Sequence, residues 1–163
     1  CRYTKEDVEA WTLEKDELAG LLKSGIPQDA KRRLLLNVGA IECGEDEKLQ
    51  KEIVDILASP ETAIDDFNQE YIETVIKSAP KSDAAKLLSR MVPKWDEVRV
   101  MSNLKTIGPP YEEIADYGKR PLIAESEVNL ALAKALQSEG FISQFKQEEK
   151  GIRIITKSKN PSE

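Results

Sequence analysis

The chain contains no histidine. That removes the commonest general base and the commonest metal-ligating side chain, so no Ser-His-Asp or Cys-His constellation can form. Cysteine is nearly absent too. Cys1 and Cys43 alone make neither a disulfide framework nor a metal site, and Cys43, following an apolar run, reads as a small core or edge residue. Nothing in this cysteine usage points to an oxidising compartment, so an intracellular setting, cytoplasmic or nuclear, is expected. No run approaches the roughly 18 apolar residues of a membrane span, and no charged-then-apolar leader opens the chain. Phosphate-cradling signatures of the G-x-x-x-x-G-K-[ST] and G-x-G-x-x-G types are missing. These absences lead to an expectation of no enzyme activity, no cofactor, no metal and no membrane partner. The chain begins at Cys1 rather than Met, which reads as a piece of a longer protein or a processed product.

What is present is a charged chain with enough apolar residues for a core. It has 163 residues, 40% hydrophobic and 33% charged, with net charge −6. That length suits one domain or two small ones. The first ninety residues read as helical throughout. Thr4 and Asp7 resemble a capping box ahead of Val8, Trp11, Leu18 and Leu22. Pro27 opens a second helix with Ala30, Leu34, Val38 and Ile41 inward. Leu49, Ile53, Ile56 and Leu57 define a third. Ser59-Pro60 starts a fourth, with Ile64, Phe67, Tyr71 and Val75 on one face. Ser82 caps a fifth containing Leu87, Leu88 and Met91. Short helices on short turns predict a bundle or helical-repeat region over residues 1–92, although no clean repeat is visible. Pro93 is the expected boundary, with Trp95 packing near it.

Two acidic clusters are candidates for metal or acid–base sites. Asp66, Glu70 and Glu73 fall at i, i+4 and i+7 on the fourth helix, but a solvated face is the favoured reading. The run from Glu42 to Glu47 lacks the ligand spacing of a calcium loop and reads as an acidic turn.

From Asp96 to Lys157 the pattern becomes more specific. Thr106 to Pro110 ends one helix and starts another. Tyr111, Ile114 and Ala115 recur at helical spacing, with Glu112 and Glu113 in the first turn. Gly118 and Pro121 stop that helix. Ser126 caps a longer one, in which Val128, Ala131, Leu132, Ala135 and Leu136 form the expected buried stripe. After Gly140, Phe141 to Phe145 and Ile152 to Thr156 are short β-prone runs joined by Lys146 to Gly151, as in a hairpin. This order resembles the winged helix-turn-helix superfamily, most specifically through SEVNLALAKALQSEGFI followed by a hairpin. The expected fold is therefore mostly α with a small β-hairpin: a helical bundle followed by a winged-helix domain over 93–163. Helices followed by a winged helix are also similar to the PCI-type modules of multi-subunit scaffolds, a likeness of element order alone.

Charge separates the two functions that this resemblance implies. Residues 1–90 hold 13 Lys/Arg and 19 Asp/Glu, while residues 91–163 hold 11 of each. A nucleic-acid module is normally basic, because neutralising phosphates supplies much of its affinity. The resemblance implies a recognition helix over 126–139, expected to expose Glu127, Asn129, Leu130, Ala133, Lys134 and Gln137. Its apolar centre at Leu130 and Ala133 suits a protein partner. The expected function is a non-catalytic interaction module of a larger assembly, binding a protein through that helix. The alternative is a DNA- or RNA-binding regulator using the same helix and the wing 141–156, with Lys134, Lys146, Lys150, Arg153 and Lys157 as phosphate contacts. Lys31-Arg32-Arg33 is a further basic cluster, read as a solvated face.

Overall fold

The computed structural model describes residues 47–158, together with Gly25 and Pro27. The first two expected helices, both cysteines, the Lys31-Arg32-Arg33 cluster and the start of the acidic run at Glu42 lie outside the described residues. The protein is mostly helical with a small C-terminal sheet, as the periodicity predicts. It divides into two compact units, residues 1–79 and 80–163.

In the first unit, α1 (Glu47–Ala58) packs against α2 (Gln69–Ser78). The helix buries Ile53, Val54, Ile56 and Leu57. The helix expected from Pro60 through Val75 is broken. Ser59 to Thr62 is a turn closed by backbone bonds from Ser59 N to Ile56 O (3.2 Å) and from Thr62 N to Ser59 O (3.1 Å). The buried Thr62 hydroxyl also donates to the Ile56 carbonyl. A single 3-10 turn, Ile64–Asp66, follows, and the backbone is extended at Phe67 and Asn68. The Asn68 side chain then accepts from Tyr71 N at 2.7 Å, and this cap starts α2. Asparagine competes with helix continuation by offering its own acceptor to the backbone, so it marks a helix start rather than a helix interior. Asp66, Glu70 and Glu73 therefore do not share a helix face. Among the described residues no group of three or more acids or cysteines is placed to hold a metal ion.

The second unit runs through α3 (Lys81–Met91), α4 (Glu97–Ile107), a 3-10 turn (Tyr111–Ala115), β1 (Leu122–Ile123), α5 (Glu127–Ser138), β2 (Gln144–Glu148) and β3 (Gly151–Ile155). Pro80 occupies the N-cap of α3, so Ser82 lies within the first turn instead of capping it. This helix is expected within the N-terminal bundle over 1–92, yet it packs on α5, within the C-terminal unit. Ala84, Ala85, Leu87, Leu88 and Met91 are buried on α3, and Leu132, Ala133 and Leu136 on α5. Full burial of each leucine contributes about 1.5–3 kcal/mol. The alanines permit close approach of the two helices.

The three strands form one antiparallel sheet in the order β1-β3-β2. Phe145 pairs with Ile154, and Ile123 with Ile152. Ile123, Ile152 and Ile154 are buried on the face toward α5. β2 begins three residues later than its β-prone run suggests and β3 one residue earlier, which shortens the connection. The hairpin loop is only Glu149-Lys150, and Glu148 pairs with Gly151.

Candidate functional site: an apolar groove beside helix α4

The groove is built on α4. Asp96 caps this helix, accepting from Arg99 N at 2.8 Å. One face is buried through Val100, Asn103, Leu104 and Ile107. A second stripe, Val98, Met101, Ser102 and Lys105, follows the i, i+3, i+4, i+7 spacing and faces a cavity of about 370 Å³. Ile114, Ala115 and Tyr117 line it from the other side, with Phe141, Thr156 and Lys157. Val98 is 79% exposed and Tyr117 52%, and these are the exposed large hydrophobic residues among those described. Both line this one concavity, so their apolar surfaces adjoin.

The wall that carries Tyr117 is held by hydrogen bonds extending the β1–β3 ladder. Gly118 N donates to Lys157 O (2.8 Å), and Lys119 N donates to the Thr156 hydroxyl (2.8 Å). Thr156 returns two bonds to the Lys119 carbonyl, from its amide (3.2 Å) and its hydroxyl (2.9 Å). At one end of the groove Lys157 Nζ pairs with Glu97 Oε1 at 3.2 Å. Both side chains are about one-third exposed, so this pair contributes at most roughly 1 kcal/mol. It does leave that end electrically neutral. Lys105 has no ion pair or hydrogen bond among the described residues.

The residues expected to form a partner-binding face on α5 are not all at the surface. Glu127, Lys134 and Gln137 are exposed and Leu130 is half-buried. Asn129 and Ala133 are buried. The buried stripe of α5 is Asn129, Leu132, Ala133 and Leu136, whereas Ala131 is exposed and Val128 and Ala135 are half-buried. The helix is thus turned about its axis relative to the expected stripe, and the cause is a polar cluster. Asn129 Oδ1 accepts from the Tyr111 hydroxyl at 2.7 Å, and Asn129 Nδ2 donates to the Ala124 carbonyl at 2.7 Å. Its backbone N donates to the capping Ser126 hydroxyl at 3.0 Å. Burial raises the pKa of the Tyr111 phenol above its ordinary value. Asn129 is therefore a structural clasp, unavailable to a base edge or a partner.

The expected phosphate contacts divide similarly. Lys134, Lys146 and Lys150 are exposed. Arg153 is engaged internally, Nη1 with the Arg120 carbonyl at 2.7 Å and Nε with Glu148 at 3.3 Å. Lys157 is held by Glu97, on the groove rather than on a wing surface. The segment Tyr111–Ala115 is a 3-10 turn rather than the expected α-helix, although Tyr111 and Ile114 are buried as predicted. Residues 116–126, which include β1, separate it from α5. That is longer than the 3–4-residue turn of a compact helix-turn-helix.

Sequence reasoning missed the groove. Its available signal was α4 itself, where Val98 and Met101 add a second apolar stripe to a helix that Val100, Leu104 and Ile107 already anchor.

A 73-residue stretch, 45% of the chain, is 38% identical to the uncharacterized membrane protein YobI of Bacillus subtilis (strain 168), spanning only 6% of that protein's length. No family model and no solved structure matches the chain. No helix among the described residues is long and apolar enough to cross a membrane.

Proposed function

We propose that the chain is a non-catalytic interaction module of a larger protein or assembly, and that its C-terminal unit docks a protein partner in the groove beside α4. One observation carries this reading: the exposed apolar side chains Val98 and Tyr117 line the same concavity. Keeping them in water forgoes burial worth about 25 cal/mol per Å² of apolar surface. Covering them on binding recovers it. The match to a small part of a long protein supports a module that works within something larger. The sheet order β1-β3-β2 behind a helix and hairpin supports the winged-helix resemblance, while the long connector into α5 sets it apart from a compact helix-turn-helix. The docking surface proposed here lies on α4, because Asn129 and Ala133 on α5 are interior.

Nucleic-acid binding through α5 and the wing has less support. Asn129 is buried and Arg153 is committed to internal partners. Fluorescence anisotropy with duplex DNA and single-stranded RNA across a salt series tests the choice. The expected result is no binding in the roughly micromolar range typical of phosphate-driven contacts. Binding that tightens steeply as salt falls, and weakens in Lys146→Ala and Lys150→Ala, would move the function to nucleic acid.

A further inference from the structure

We propose that the occupant of the groove is an amphipathic helix of the partner, with an acidic residue about two turns beyond the first of its apolar anchors. This rests on the docking reading above and adds the chemistry of what docks. Val98, Met101, Ser102 and Lys105 lie along one line of α4. At 1.5 Å per residue, Val98 and Lys105 are separated by roughly 10 Å along the axis. The Val98 end is apolar and, through the Glu97–Lys157 pair, neutral. At the Lys105 end stands a cation without an ion pair among the described residues, and Glu97 is the one acid in the lining. Complementarity therefore calls for apolar side chains at one end and a carboxylate at the other.

The walls favour a helix over a strand. An added strand needs open backbone donors and acceptors. The backbone bordering the groove at Gly118 and Lys119 is already bonded to Thr156 and Lys157. What remains is side-chain surface: the flexible thioether of Met101, the aromatic rings of Tyr117 and Phe141, and Val98. Such a surface accepts i, i+3, i+4 anchors. A cavity of about 370 Å³ has room for a few side chains, near the lower end of the about 300–1,000 Å³ of ligand pockets.

The test uses the full chain and two stapled helical peptides, since short unstapled helices are marginal in water. Both carry Leu at i, i+3 and i+4; one has Glu and the other Lys at i+7. Labelled peptides are titrated and followed by anisotropy. The Glu peptide is expected to bind about fivefold tighter than the Lys peptide. Lys105→Glu is expected to reverse that order, and Val98→Asp to abolish binding of both. Equal binding of the two peptides, removed by Val98→Asp, would overturn the acidic chemistry while leaving the groove as a docking site. Binding of neither peptide would overturn the helical occupant. Concentration-dependent self-association of the wild type, lost in Val98→Asp, would overturn it in favour of a second copy of this chain.

Discussion

Replacing Asn129 with leucine is expected to destabilise the C-terminal unit by roughly 3 kcal/mol, although the two side chains are similar in size. The loss comes from the partners left behind. The Tyr111 hydroxyl and the Ala124 carbonyl both depend on the Asn129 amide, and each buried group left unsatisfied costs about 1–3 kcal/mol. The consequence is architectural, because Asn129 ties the 3-10 turn at Tyr111 and the approach from β1 to the first turn of α5. Urea unfolding followed by Trp95 fluorescence, in a Trp11→Phe background so that one tryptophan reports, measures it. Tyr111→Phe should cost less, about 1 kcal/mol, since Asn129 keeps Ala124. Combining the two should recover part of the Asn129→Leu loss, because the stranded hydroxyl is gone. An Asn129→Leu midpoint equal to wild type would mean that the amide is not the clasp.

Gly151→Ala should have a loss of similar size, on the order of 3 kcal/mol, from two independent causes. Gly151 has φ +150°, a conformation that side-chain-bearing residues rarely adopt. A Cβ at this position would also press into the Ile123 carbonyl oxygen, with the Leu122 side chain close behind. The neighbour is backbone, so it yields only if β1 moves off β3. Amide exchange locates the damage. Ile154 N donates to the Pro121 carbonyl at 2.9 Å, and its protection should fall in the variant more than that of amides within α5. Unchanged protection at Ile154, with an unchanged unfolding midpoint, would show that the chain absorbs the methyl group without separating the strands.

Both residues show why part of the fold was legible in the sequence and part was not. Local chemistry read correctly: Ser126 caps α5, Gly140 follows its end with φ +73°, and a hairpin comes after it. These depend on a few adjacent residues. The stripe of α5 read in part: Leu132 and Leu136 are buried as expected, but small alanines flank them on both sides and leave the centre of the stripe open. Ala131 and Ala135 fit either face, and a polar Asn129 is a poor guess for the interior until its partner at Tyr111, 18 residues earlier, is known. β1 has two residues and cannot display alternation, so only its pairing with β3 reveals it. The break before α2 turns on Asn68 outcompeting an apolar spacing that suits one long helix. The groove was hidden for a related reason. Apolar residues on α4 can serve the core or a surface concavity, and periodicity alone does not separate the two.

The function proposed here depends on α4, rather than α5, presenting the partner-binding surface. Site-specific photo-crosslinking in cells measures that most directly, with a photoreactive amino acid placed at position 101 in the groove or at position 134 on the exposed face of α5. The account predicts one discrete protein adduct from position 101, absent when Val98→Asp is added, and none from position 134. Adducts from position 134 alone, unaffected by Val98→Asp, would contradict it and return the interface to α5.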